Sequence, residues 1–221
     1  RNQPAMLAHL ALIPEAYPLY LWLGVTDADG RILAATNPAD IGRDRSRSPW
    51  FIAVRNKQTI DIRDAEVSEE SDGILSVAFT APIWSRQGTF LGTVSTRVSL
   101  PALEDTFART VVALQAQHGT AGTIEYQFLN RHGVLIADSL LREEGQNLQQ
   151  LGLPSALLVD SAPAGYIEET HHRRDVPVIT GYARTKASRE LAGLQWGVLV
   201  RMERSEVLAP ITSMLWKLGL A

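Results

Sequence analysis

The sequence contains no cysteine among its 221 residues. That excludes a disulfide framework, a thiolate nucleophile and cysteine-ligated zinc, while leaving the compartment open. It has no window approaching the ~18–20 consecutive apolar residues that span a bilayer. It shows no signal-peptide pattern and starts at Arg1 rather than methionine, so the expectation is a fragment cut from something longer at both ends. It also lacks a charge excess: 21 basic against 24 acidic residues leaves −3, with a pI near 6.0. A general nucleic-acid binder usually carries a basic stripe, so that class is excluded, though a local basic pocket is not. No G-x-S-x-G, P-loop or G-x-G-x-x-G motif occurs, and nothing sets a nucleophile against a base, so an enzyme is not the reading.

What is present is a folding composition. Apolar residues make up 45% of the chain, including five Trp, which argues against disorder. At roughly 100–200 residues per domain, the length allows one large domain or two small ones.

Pro4 to Ala16 has a helical spacing of Met6, Leu7, Leu10, Leu12 and Ile13, ended by Pro14 and Pro18. Leu21–Thr26 and Arg31–Thr36 read as strands around Asp27-Ala28-Asp29-Gly30, a tight turn. A polar stretch, Asn37 to Ser48, runs into a short aromatic helix from Pro49 to Val54. Strands follow at Thr59–Ile62, Ser76–Trp84 and Thr89–Ser99, the last two joined through Arg86-Gln87-Gly88. Ser99 and Pro101 open a helix with Leu100, Leu103, Phe107, Val111 and Leu114 on one stripe, closed by Gly119.

The pattern then restarts. Strands are expected at Ile124–Asn130 and Val134–Asp138, a leucine-rich helix at Asn147–Leu158, and strands at Gly165–Thr170, Val176–Arg184 and Gln195–Met202. Ser205 to Leu218 ends the chain as an apolar helix. Gly30 falls on Gly133, Ile32 on Leu135, Ala34 on Ala137 and Thr36 on Ser139, an offset of 103, while Thr93–Arg97 falls on Gly197–Arg201, an offset of 104. Two matches at nearly one offset indicate two copies of one unit with about five antiparallel strands each.

The first copy resembles a Cache sensor module. The likeness rests on Val25–Leu33, Ser48-Pro49-Trp50-Phe51, Thr80–Ile83, Gly88 and Leu91-Gly92-Thr93-Val94. The second copy is similar to the membrane-proximal half of a double Cache domain through Asp138-Ser139-Leu140, Gly165-Tyr166, Gly181–Arg184 and Trp196–Arg201. The resemblance runs from about Leu21 to Pro210. It implies an α+β fold: two tandem PAS-like antiparallel five-stranded sheets, a truncated N-terminal helix at 1–20, a membrane-distal subdomain with connecting helix at 21–118, and a membrane-proximal subdomain with C-terminal helix at 119–221. It further implies a bacterial transmembrane receptor (chemoreceptor, histidine kinase or diguanylate cyclase) whose periplasmic part this is. An inner-membrane anchor, a homodimer through the N-terminal helix and no cofactor are the matching expectations.

In that family small ligands sit in the distal half, between the sheet and the loop-helix with the Trp-Phe pair. Members that bind amino acids present an Arg two residues before the Trp and an Asp on the last strand of that half. Here those places hold Ser48, with Arg47 beside it, and Arg97. A buried Arg repels an ammonium group and suits an anionic ligand, a carboxylate above all, through its bidentate fork. The candidate ligand residues are Arg45, Arg47, Trp50, Phe51, Asp61, Asp64, Phe79, Ser95 and Arg97. Strand alternation puts Ser95 and Arg97 on one face, and a solvent-facing Arg on a sheet edge is the plain alternative. Arg45 and Arg47 read equally as solvated loop charges, and Trp50 and Phe51 as core or pocket wall. Asp61 and Asp64 could orient an Arg or bond a ligand hydroxyl.

His171-His172-Arg173-Arg174 is expected to be an exposed hairpin tip rather than a metal site, since neighbouring strand residues point apart. Glu143-Glu144 and Glu168-Glu169 are expected on solvated faces. The rival to a ligand sensor is a partner-binding or structural dimerisation module without a small-molecule ligand.

Overall fold

The computed structural model describes residues 3–118, 123–140, 144–186 and 194–219. Gly119 and Glu143 lie outside the described residues, as does the side chain of Leu114. The elements run α1 (Gln3–Ala16), β1 (Tyr20–Thr26), β2 (Ile32–Ala35), α2 (Pro49–Lys57), β3 (Asp61–Val67), β4 (Leu75–Trp84), β5 (Phe90–Ser99), α3 (Leu100–His118), β6 (Glu125–Leu129), β7 (Leu135–Asp138), α4 (Pro154–Ser161), β8 (Gly165–Thr170), β9 (Pro177–Arg184), β10 (Gly197–Glu203) and α5 (Arg204–Lys217). They form two compact units that divide between Asp105 and Thr106, inside α3. Each unit holds one antiparallel five-stranded sheet, ordered β2-β1-β5-β4-β3 in the first and β7-β6-β10-β9-β8 in the second. This is the double Cache α+β fold.

The repeat reaches individual hydrogen bonds. The Asp27 N–H donates to the Arg31 carbonyl and the Asn130 N–H to Val134; the Arg45 N–H reaches Gly30 and the Leu148 N–H reaches Gly133. Every atom pair moves by 103 residues. The isolated bridges Arg31–Asp44 and Val134–Asn147 keep the same offset. So do two hydroxyl contacts, Leu23 N–H to Thr36 Oγ1 at 3.0 Å and Tyr126 N–H to Ser139 Oγ at 3.1 Å. Gly30 and Gly133 have φ of +92° and +76°, which a side chain rarely tolerates.

In the first unit, strand alternation gives the sheet two unlike faces. Leu23 and Ala34 pack against Leu10 of α1, with Met6, Leu7 and Ile13 around them. Trp22, on the other face, lies over Gly24, where any Cβ would collide with the indole. In the second unit Leu129, Leu135, Leu148, Leu153, Ala156, Val159 and Leu199 make one apolar core beneath α4. Phe107 of α3 stacks on Phe128 at 4.3 Å between ring centroids.

Several elements depart from the sequence expectation. Pro14 sits inside α1 rather than ending it. β3 begins at Asp61 and runs on to Val67 across an irregularity between Arg63 and Glu66. The helix expected at Asn147–Leu158 starts only at Pro154, because Gly152 turns the chain at φ +74° and proline prefers the first helical turn. The expected cap of α3 is present: the Ala102 N–H donates to Ser99 Oγ at 3.2 Å. α5 buries none of its residues and leaves Ile211, Met214 and Trp216 more than half exposed. Among the described residues no helix is long and apolar enough to cross a membrane.

Gly92 supplies a stability test. Its φ is +145°, and a Cβ there would overlap the Thr26 carbonyl oxygen. Gly92→Ala is expected to cost about 3 kcal/mol, strain and overlap together. Gly88→Ala, at φ +79° with open space around it, is expected to cost about 1 kcal/mol. Urea denaturation of both variants reads the difference; equal losses would contradict the close approach at Gly92.

Candidate functional site

The face of the first sheet opposite α1 is polar, though it is buried. Register pairs Trp22 with Arg97 and Gly24 with Ser95 across β1 and β5, then Ala78 with Arg97 and Thr80 with Ser95 across β4 and β5. These side chains share one face with Thr26, Ser76, Thr93 and Ser99. All the polar ones are buried. Thr26 and Thr93 hydroxyls meet at 2.9 Å, and those of Thr80 and Ser95 at 2.7 Å. Buried hydroxyls stabilise little even when paired, so a layer of them has no evident structural advantage over leucines.

Arg97 is the centre of this layer. Its side chain is 1% exposed, and its guanidinium carbon lies 5.5 Å from the Trp22 ring and 5.7 Å from the Trp50 ring. Nη1 donates to Ser95 Oγ at 2.9 Å and to the Thr96 carbonyl at 3.1 Å; Nε reaches Ser68 Oγ at 3.4 Å. Nη2 faces Glu70 Oε2 at 3.4 Å. Burial holds Arg97 below its ordinary value, and the Glu70 carboxylate offsets only part of that. The group stays a cation, because guanidinium is hard to deprotonate in any protein.

A chain of charges leads from Glu70 to the surface and back. Glu70 Oε1 is 3.5 Å from Arg45 Nε, Arg45 Nη1 is 3.0 Å from Glu69, and Glu69 is 2.6 Å from Arg43. Arg43 also reaches Asp40 at 3.1 Å, and Asp40 accepts the Trp22 indole N–H at 2.9 Å. Trp22 in turn covers Arg97, so the circuit closes. The Arg45 hydrogen bond holds the Glu69 carboxyl below its ordinary value. Glu69 therefore keeps this outer part of the circuit charged as pH falls through the usual carboxylate range, and the contribution is lost only further into acid.

The candidate residues from the sequence separate cleanly. Arg45, Trp50, Ser95 and Arg97 are brought together. Phe51 is fully buried, edge-on to Trp50 at 6.2 Å and to Phe90 at 6.3 Å, and forms a wall. Asp61 lies opposite Thr80 and is engaged by Arg63 at 3.1 Å. Asp64 accepts the Ala65 N–H within the irregular part of β3. Arg47 is exposed beside Asp44, whose carboxyl is held below its ordinary value mainly by the Ser46 N–H. Phe79 lies opposite Thr96, so alternation places it on the α1 face, away from Ser95 and Arg97. There it lines a cavity of about 300 Å³ with Ile13, Tyr20, Leu23 and Val94, which Thr80 and Ser95 also border. Sequence reading missed Trp22, Thr80 and Glu70. The Trp-x-Gly spacing of β1 and the Ser/Thr positions of β4 and β5 carried a usable signal; Glu70, in a polar loop, carried none.

Two expectations fail in the second unit. His171 is not an exposed tip: it is 2% exposed. Its Nε2 meets Glu125 at 3.0 Å, and its Nδ1 accepts the Arg173 and Arg174 N–H groups. Glu169 is not on a solvated face; its side chain is 3% exposed, 3.6 Å from Arg201, and accepts the Ser155 N–H. In both cases a charged neighbour from another strand makes burial possible, and linear spacing does not reveal it. Glu168 is exposed as expected. Among the described residues no three His, Asp or Glu side chains group as a metal site.

The second unit also shows what the first could have been. Moving 103 residues on, Thr26 becomes Leu129, Arg45 becomes Leu148 and Trp50 becomes Leu153; moving 104, Thr93 becomes Gly197 and Ser95 becomes Leu199. Those leucines form the apolar core of the second unit. One backbone thus closes over leucines in one copy and over hydroxyls, Arg45 and Trp50 in the other, while the buried arginine is present in both, as Arg97 and Arg201.

The family model of the Cache domain matches residues 1–211. Solved structures align over most of the chain. The ligand-binding domain of the amino acid chemoreceptor PctB of Pseudomonas aeruginosa PAO1, in complex with L-Gln, is 20% identical, with 98% of this chain and 81% of that one covered at a TM-score of 0.58. The ligand-binding domain of the Pseudomonas fluorescens chemoreceptor CtaA, in complex with L-serine, is 15% identical, covering 92% and 91% at 0.58. An extracellular ligand binding receptor from Desulfohalobium retbaense DSM5692 is 18% identical at 0.62; 88% of this chain aligns but spans only 32% of that one. No curated protein matches.

Arg97 and Glu70 supply a coupling test. Arg97→Met leaves a buried carboxylate short of its partner and is expected to cost about 3 kcal/mol. Adding Glu70→Gln should return at least about 1 kcal/mol of that loss. Strict additivity in urea denaturation would show that the two groups do not interact.

Proposed function

The chain belongs to the Cache domain family, and from that premise we propose that it is the extracytoplasmic sensor domain of a bacterial transmembrane receptor, taking a small molecule with a carboxylate at Arg97. The single observation behind the ligand reading is the contrast between the two copies: Thr26, Arg45, Trp50 and Ser95 stand around Arg97 in the first where leucines fill the second around its counterpart Arg201. Similar structures hold amino acids, which also present a carboxylate. Here the ligand is assigned without an ammonium next to that carboxylate, because Arg97 would repel it in a buried site.

In this reading Arg97 binds the carboxylate, Ser95 and Thr80 bond further ligand oxygens, and Trp22 and Trp50 hold the guanidinium in place. Arg45 adds a second positive group: its Nη2 is buried without a hydrogen-bond partner. The exposed apolar residues of α5, Ile211, Met214 and Trp216, fit a helix continuing toward an inner membrane, and α1 would pair with its copy in a homodimer. Signalling then requires the ligand to bind one of two receptor arrangements more tightly. A ligand with equal affinity for both shifts nothing.

Thermal-shift screening of the chain tests the assignment. Small carboxylates are expected to raise Tm more than amino acids, amines or purines. Arg97→Ala should abolish the shift, and the milder Ser95→Ala should weaken it about tenfold in Kd, the loss of one hydrogen bond to a charged group. Stabilisation by an amine or amino acid that survives Arg97→Ala would overturn the assignment. No response to any solute would favour a module that binds a partner protein instead.

A further inference from the structure

Glu70 already occupies the position that the proposed ligand needs. It is the carboxylate at the Nη2 edge of Arg97, and its own side chain is only 7% exposed. Its two oxygens face the two arginines of the site, Arg97 at 3.4 Å and Arg45 at 3.5 Å. Both distances are long for charge-assisted hydrogen bonds, which run about 2.7–2.9 Å. Glu69, its neighbour, makes the tight contacts instead, 2.6 Å to Arg43 and 3.0 Å to Arg45.

Glu69 and Glu70 are held by largely different contacts. Glu69 to Ser71 form a single 3₁₀ turn, closed by mutual contacts of Ser68 and Ser71. Two residues with positive φ follow, Asp72 at +50° and Gly73 at +77°, before β4 begins. Glu69 tethers the turn from outside through Arg43 and Arg45. Glu70 can therefore swing without releasing the whole loop.

Charge balance decides the order of events. Arg45 is already paired with Glu69 at 3.0 Å, so a second carboxylate added to Arg97 with Glu70 in place would crowd two anions around the one remaining buried cation. Exchanging one for the other keeps the buried charge unchanged. We infer that Glu70 is an internal surrogate for the ligand carboxylate, which closes the empty site and must be displaced on binding. Glu70 then sets the affinity threshold of the sensor, and its release moves the connection between β3 and β4. This rests on the carboxylate reading above and adds to it the competitor.

Acetate tests the inference, because Glu70→Ala removes an acetate-sized fragment. Tm and Kd are measured for the wild-type chain, Glu70→Ala and Glu70→Gln, with acetamide and sodium chloride at matched ionic strength as controls. Acetate is expected to stabilise Glu70→Ala selectively, and to bind Glu70→Gln about tenfold or more tighter than wild type, as removal of an internal competitor requires. Glu70→Gln keeps the shape of the side chain, so it carries the test if the alanine variant folds poorly. Equal acetate affinity in all three proteins would overturn the surrogate role and leave the carboxylate site standing. No acetate response in any of them, with the variants folded, would overturn both.

Discussion

One guanidinium organises the first unit. Arg97 reaches the interior from the central region of a five-stranded sheet, where a bare cation would be strongly unfavourable. Two indoles, two serine hydroxyls, a carbonyl and one carboxylate make its burial tolerable. Each of these partners imposes a condition on its own surroundings. Trp22 can lie over the sheet only because residue 24 is glycine. Trp50 is held over Arg97 by α2, and Glu70 by a turn pinned through Arg43 and Arg45.

The duplicated architecture separates what the fold needs from what the site needs. The turn glycines, the bridges and the hydroxyl contacts repeat at an offset of 103 in both units, so they belong to the fold. Apart from the buried arginine, Arg97 in one unit and Arg201 in the other, the residues facing inward do not repeat in kind. Leu129, Leu148, Leu153 and Leu199 fill the second interior by simple apolar packing, which is the less demanding solution. Even so, the second unit retains an arginine opposite a carboxylate, Arg201 with Glu169, and adds the Glu125–His171–Arg174 cluster at its edge. Position 22 of the first unit, a tryptophan covering Arg97, corresponds to Glu125 of the second. The same backbone position serves a cation through a π face in one copy and through charge in the other.

Much of the fold was legible beforehand. The Asp-Gly and His-Gly turns, the alternation of β4 and β5, the Ser99 cap and the offset of 103 are local or periodic signals, and local chemistry enforces them. The failures also share a cause. The sequence alone groups Phe79 with Ser95 and Arg97, whereas alternation separates their faces once the register of β4 against β5 is fixed. His171 and Glu169 read as exposed because their partners, Glu125 and Arg201, lie 46 and 32 residues away in sequence.

By itself the sequence determined that the chain holds two copies of one α+β unit, that it has no thiol chemistry, and that an arginine stands on the last strand of the first copy. Turn types, strand period and repeat offset are written in neighbouring residues, so they survive without coordinates. Only the tertiary structure decided that Arg97 lies against Trp22 and Trp50 and is paired with Glu70. Those contacts join β1, α2, β5 and a loop from four separate stretches of chain, and nothing in the spacing of the residues encodes which carboxylate folding brings to a buried cation.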